Sequence, residues 1–193
     1  KLYKISDDLY YKFANKLKIS LNKKLDDIEK DIYKRWPKGK DERKLIERIW
    51  KLLLYTNDSD LKQKLITHID NNNMTLSKSV LNVYQNFNFK EREIISSKFF
   101  YKWRKNSIVL DNWFAFRASI EIENYIDNLE DLFKHECFDN KSPNTLRSIL
   151  NSFVSNNRYF HDLEGKGYNY IANKVVEFDK INPIIISRFI KLF

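Results

Sequence analysis

Residues 41–54 read DERKLIERIWKLLL, and the spacing of their apolar positions decides the fold class. Leu45, Ile46, Ile49, Leu52 and Leu53 follow the i, i+1, i+4, i+7, i+8 stripe of a helix packed along one side. Asp41 stands where an N-cap belongs. The preceding KRWPKGK, residues 34–40, brings a proline and a glycine close together and marks a loop.

Working outward, the same periodicity predicts helices over about 7–20, 22–34, 58–70, 75–86, 90–104, 111–118 and 121–135. Three glycines and three prolines leave little material for hairpins or Gly-rich phosphate loops. Short links between amphipathic helices set successive helices antiparallel, so that pairs stack on pairs. The expected fold class is therefore all-α, an α-solenoid-like superhelical array of antiparallel helix pairs of the ARM/HEAT kind. At 193 residues the chain is longer than a typical domain, but helical arrays extend without splitting, and one domain over residues 1–193 is expected.

The last third carries sharper signals. Ser142-Pro143-Asn144 precedes Leu146, Ile149, Leu150 and Phe153, and Asn144 reads as the N-cap of that helix, with Arg147 in its first turn. Gly165 and Gly167 read as a loop that uses positive φ, before a helix over 168–178. Asn182-Pro183 reads as an N-cap followed by proline at the first helical position. Ile184 and Arg188 are four apart on the helix so begun and share a face.

These signals coincide with ordered motifs: PNTLRS at 143–148, FHDLEGKGYNYIA at 160–172 and INPIIISR at 181–188, preceded by NNMT at 72–75 and LDNWFAFRA at 110–118. Together they resemble the C-terminal helical domain of the aminopeptidase N family of zinc exopeptidases. The resemblance implies a larger protein that removes amino-terminal residues from peptides, with this all-helical domain set over the catalytic one. It further implies that Arg147 and Arg188 face the internal chamber and that Ile184 lies at the edge of the pocket for the first side chain of the peptide. The plainer readings are surface or interhelical ion pairs for the arginines and core packing for Ile184. Guanidinium groups offer several directed donors to carbonyls or a carboxylate, so such arginines would orient substrate without transferring protons.

The chemistry of that family needs two histidines one helical turn apart with a glutamate between them. Among the three histidines, His135 is followed by Glu136, but Asp139 stands four residues on, and His68 and His161 are isolated. No cofactor is therefore expected in this chain; zinc belongs to the catalytic domain that the resemblance implies. His161 reads as a structural residue whose ring bonds to backbone. The chain opens on Lys1 and closes on Phe193 within an apolar helical pattern, so it is expected to be a piece of the domain that stops before the family's last helices.

The net charge of +9 raises the question of nucleic acid. Residues 1–70 hold 18 basic and 12 acidic side chains and residues 71–193 hold 17 and 14, with alternating signs along both, which is the pattern of solvated helix faces. No nucleic-acid partner is expected, and no membrane partner either, since no run approaches ~18 apolar residues. Lys1–Tyr11 mixes polar and apolar residues and does not form a signal-peptide pattern. The lone Cys137 excludes an internal disulfide, reads as a small buried hydrophobe and fits a cytoplasmic location. Trp103, Trp113, Phe99, Phe100, Phe114 and Phe116 read as core aromatics. The expected partners are the catalytic and other domains of a parent aminopeptidase and its peptide substrate. The alternative is a helical-repeat scaffold that binds a protein in its groove without catalysis.

Overall fold

The computed structural model describes residues 2–29 and 40–192, and among them every regular element is helical. In chain order these are α1 (Leu2–Glu29), α2 (Lys40–Leu54), α3 (Ser59–Ile69), α4 (Met74–Val83), α5 (Lys90–Trp103) and α6 (Ser107–Ser119). There follow α7 (Tyr125–Phe133), α8 (Pro143–Val154), α9 (Asn157–Phe160), α10 (Lys166–Phe178) and α11 (Pro183–Ile186), with a 3-10 turn at Ile190–Leu192. The chain forms two compact units, one drawn from residues 1–84 and 89–99 and the other from residues 85–88 and 100–193.

Side-chain caps set where several helices begin. Asp58, Asn73, Asn106 and Ser142 each have extended backbone and accept a hydrogen bond from the N–H three residues on, satisfying one of the orphan donors of the first turn. Asp58 also receives Lys18 Nζ at 2.8 Å, which ties α1 to the start of α3. That ammonium, together with the Leu61 N–H, holds the Asp58 carboxyl below its ordinary range.

Three expectations shift at the start of the chain. α1 is continuous where the periodicity predicts a break between 20 and 22; Ser20, Leu21 and Asn22 include neither glycine nor proline, and no residue there stops a helix. Asp41 lies inside the first turn of α2, where with Glu42 it complements the positive end of the helix dipole instead of capping it. On α2 the fully buried stripe is Ile46, Ile49, Trp50, Leu53 and Leu54, while Leu45 is exposed and Leu52 half-buried. Ile46 lies at the middle of this stripe, and Trp50, which the expected stripe lacks, is fully buried in it. Residues 34–39 of KRWPKGK and the end of the predicted helix over 22–34 lie outside the described residues, and Lys40 opens α2.

In the first unit α1 packs on α2, α2 on α3 and α4, and α3 on α4. Leu65, Ile69, Leu76, Val80 and Leu81 meet the α2 stripe in the core, each contributing about 2 kcal/mol by burial. Ser77 Oγ donates to Ile69 O and Asn71 O, and Ser79 bonds to Glu47, so the polar groups of α4 that enter this core are satisfied. Phe99, at the end of this unit, is buried as expected. In the second unit α6 packs on α7 and α8, α8 on α9, α9 on α10, and α10 on α11. Trp113, Phe114 and Phe116 are buried there as expected, whereas Phe100 and Trp103 are half-buried.

His68 is 3% exposed beside the Trp50 ring. Burial, with a smaller effect of Lys64, pushes its pKa down to about 4. Between that value and the ordinary 6.5 the unfolded chain holds a proton that the folded chain does not, so stability is full above pH 6.5 and is lost as pH falls. Urea unfolding at pH 7 and pH 5 is expected to show a loss of about 2 kcal/mol, of which His68→Leu removes most. An equal loss in both proteins would show that other groups set the acid limb.

Candidate functional site

The three site residues read from the sequence lie on two short stretches of the second unit. Arg147 is on α8, whose start is held twice over. Ser142 is the N-cap in place of Asn144, with its Oγ accepting from the Thr145 N–H, and Pro143 occupies the first turn. Thr145 Oγ1 donates to Asp111 Oδ1 at 2.7 Å and fastens α8 to α6. Leu146, Ile149, Leu150 and Phe153 are buried, which fixes the rotation of the helix and leaves Arg147 half-exposed. Its Nη2 donates to Asn144 Oδ1 at 2.8 Å, so the residue expected to cap the helix instead steadies the guanidinium.

Ile184 and Arg188 lie at the end of the described chain. Asn182 does not cap α11 with its side chain; its Nδ2 donates to Asn140 O at 2.7 Å and pins this stretch to the loop before α8. Ile185, Ile186 and Phe189 turn inward and are buried. Ile184, 76% exposed, and the exposed Ser187 and Arg188 turn outward. The expectation that Ile184 and Arg188 share a face agrees with this alternation, and Ile184 is not a core residue.

The stretch between α8 and α10 is structural. His161 Nδ1 pairs with Tyr168 Oη at 2.6 Å, so its partner is a hydroxyl and not backbone as expected. Asp162 Oδ1 accepts the Lys166 N–H at 2.7 Å. Gly165 has φ of +70°, the left-handed conformation anticipated for the loop. Gly167 does not share it. It sits inside α10, buried, where a Cβ would overlap the carbonyl group and Cα of Phe160, so its role is close approach of α10 to α9.

A polar cluster with no counterpart among the sequence expectations joins α7 to α10. Lys174 is buried, with Nζ 2.9 Å from both Glu130 Oε1 and Glu177 Oε2 and 4.5 Å from the centre of the Phe133 ring. Tyr170 Oη donates to the same Glu130 oxygen at 2.8 Å. Burial raises the Glu130 carboxyl, but the hydrogen bonds from Lys174 and Tyr170 and the Lys174 charge outweigh it and leave it below its ordinary value. Tyr170, Lys174 and Glu177 are spaced by four and three and were visible as one helix face, whereas Glu130 comes from a different helix and carried no signal.

The surroundings of His135 are aromatic and do not form a metal site. His135 Nδ1 accepts the Cys137 N–H at 3.1 Å, and Phe100, Trp113 and Phe114 surround the ring. Burial, with a smaller effect of Arg117 set against Glu136, depresses its basicity. Cys137 is half-buried, not fully buried as expected, and burial pushes its thiol up. Among the described residues no group of three His, Cys, Asp or Glu could hold a metal ion. Nor is any described helix long and apolar enough to cross a membrane.

Comparison with known proteins assigns the helical array. The family described as "Domain of unknown function (DUF3458_C) ARM repeats" matches residues 1–193. Aminopeptidase N of Haemophilus influenzae is 32% identical over 142 residues, which cover 72% of this chain and 16% of that protein. Aminopeptidase N of Escherichia coli K12 is 29% identical over 121 residues, covering 62% of this chain and 14% of that protein. The chain thus spans about a sixth of the length of these relatives. The crystal structure of Legionella pneumophila aminopeptidase A in complex with aspartic acid superposes with a TM-score of 0.83, at 24% identity, over 97% of this chain and 23% of that one. At that identity it shows the fold alone. The all-α, solenoid-like class read from the helical spacing is upheld, as is the resemblance read from the motifs.

Replacing Gly167 by alanine is expected to cost about 3 kcal/mol, because neither the Phe160 backbone nor α10 can withdraw without opening the core. Gly165→Ala has open space and meets only the penalty of positive φ, about 1 kcal/mol. Denaturant midpoints of the two variants check the difference, and equal losses would contradict this division of roles between the two glycines.

Proposed function

This chain belongs to the DUF3458_C family of ARM-repeat domains, and on that premise we propose that it is the C-terminal helical domain of an aminopeptidase N-like zinc metallopeptidase that removes amino-terminal residues from peptides. The observation that carries the reading is the family match across residues 1–193 together with the similarity to two bacterial aminopeptidase N proteins. The zinc, which acts as Lewis acid on the scissile carbonyl, belongs to the catalytic domain of the parent, and this chain supplies no ligand to it. Its partners are that domain, the other domains of the parent and the peptide. The lone half-buried thiol fits a reducing, cytoplasmic setting.

The domain encloses the active-site chamber and limits access to it. Arg147 and Arg188 face the peptide and orient it by charge-assisted hydrogen bonds. Ile184 forms an apolar rim to the pocket for the first side chain, where it can pack but neither donate nor accept a hydrogen bond. Its exposure supports this role, because a core isoleucine could not touch substrate.

In the full-length parent, Ile184→Gln is expected to change the ratio of kcat/KM between apolar and polar amino-terminal residues by up to about tenfold, with zinc content unchanged. Equal effects on all substrates would overturn the rim assignment. An active, zinc-loaded parent beside an inactive, zinc-free preparation of this chain supports the accessory-domain reading. An inactive parent would favour a non-catalytic scaffold.

A further inference from the structure

A cleft of about 310 Å³ opens between α2 and α4 in the first unit. Lys44, Glu47, Arg48 and Lys51 line it from α2, and Asn82 and Val83 line it from α4. The three cations stand at i, i+4 and i+7, so they fall within an arc of roughly 60° and a length of roughly 10 Å on one side of the helix. Like charges one turn apart repel each other, and a merely solvated face is better served by alternating signs. Glu47 is spaced to supply that alternation, three residues after Lys44 and four before Lys51. Its carboxylate bonds instead to the hydroxyl of Ser79, which is buried on α4. Lys44 and Arg48 are exposed and form no ion pair with a carboxylate among the described residues. Three cations and one carboxylate leave the walls of the cleft at +2.

We propose that this cleft binds a phosphate group, free or carried by a small phosphate ester. The assignment stands apart from the aminopeptidase reading and does not need it. The charge of the walls calls for an anion, and the arrangement of donors selects phosphate among anions. Arg48 offers directed donors and the two lysines offer mobile charges, all from the α2 wall. The side-chain amide of Asn82, exposed on the α4 wall, can donate from across the cleft. A phosphate spreads its acceptor oxygens in several directions and can meet both walls, whereas a carboxylate presents two in one plane and is satisfied by a single guanidinium. A phosphate monoester also carries a charge of about −1.5 to −2 at neutral pH, which matches the walls. Val83 is the one apolar lining residue, so recognition rests on the phosphate and little on any organic remainder.

The test is calorimetric titration of this chain with inorganic phosphate and with glycerol 3-phosphate at low ionic strength. One saturable site is expected. Lys44→Gln and Arg48→Gln are each expected to weaken it at least about fivefold, with helical circular dichroism unchanged because both side chains are exposed. Glu47→Gln is expected to tighten it, since an amide can still accept from Ser79 while the opposing charge is gone. Lys12→Gln removes the same charge from α1, away from the cleft lining, and is expected to leave the affinity within about twofold. Tighter binding of the ester than of free phosphate identifies an ester as the ligand, and the reverse identifies phosphate itself. Absence of a saturable site would overturn the proposal, as would an equal loss in Lys12→Gln, which marks general attraction to a chain of net charge +9. Binding of single-stranded RNA without binding of either phosphate probe would overturn it as well.

Discussion

The dry contact between α6 and α8 is the constraint on which residues 100–192 depend. α8 brings Leu146, Ile149, Leu150 and Phe153 to it and α6 brings Val109, Leu110, Trp113 and Phe114, all buried. At about 2 kcal/mol for each such side chain, this seam outweighs any intrinsic helical preference of a 12-residue segment, which in isolation would be marginal. Its polar margin is also closed. Thr145 donates to Asp111 at one end, and Asn156 Nδ2 reaches Ser119 O at 3.2 Å at the other. With both ends tied and one face buried, α8 has a single rotation open to it. The outward direction of Arg147 follows from that rotation and not from any contact of its own.

A second joint works on different physics. Lys174 leaves water between α7 and α10, which is costly for an ammonium unless it is paired and hydrogen-bonded. There it meets Glu130, Glu177 and the faces of Phe133, Tyr170 and Phe178. Both carboxylates keep part of their surface in solvent, so the cluster adds less to stability than its number of contacts suggests. What it supplies is register. A slip of α10 by one residue would part Lys174 from Glu130 and leave it only Glu177, which travels with it on the same helix.

Helix positions were largely legible because they depend on local rules. Periodicity located α3, α4 and α5 closely, and the Asp, Asn and Ser caps are single-residue signals with a mechanism. Departures arose where a local rule allowed two answers and tertiary packing chose between them. Ser142 and Asn144 are both capable caps, and Pro143 between them decides the matter, since proline fits the first turn and leaves Ser142 to precede it. Gly165 and Gly167 look equivalent in sequence, but one supplies a positive φ and the other a missing Cβ against Phe160. The partners of His161 and Lys174 were out of reach because they are set by how helices meet. For the candidate site, the i, i+4 spacing of Ile184 and Arg188 was enough to place both on one side, and the exposure of that side required the structure.

The proposed role would act through the alternation of side chains over residues 184–189. Over residues 184–189 the inward side chains Ile185, Ile186 and Phe189 are fully committed to the core, and the outward ones, Ile184, Ser187 and Arg188, carry little of the folding energy. Ser187 Oγ already returns to Ile184 O at 3.0 Å, and Arg188 donates its N–H to Ile185 O at 3.1 Å, so the backbone beneath them is satisfied locally. Side chains held on a rigid support but not needed by it are free to vary in chemistry without loss of fold. An apolar residue at 184 and a cation at 188 therefore stand on the outward side of this stretch, which is where the proposed chamber role would need them.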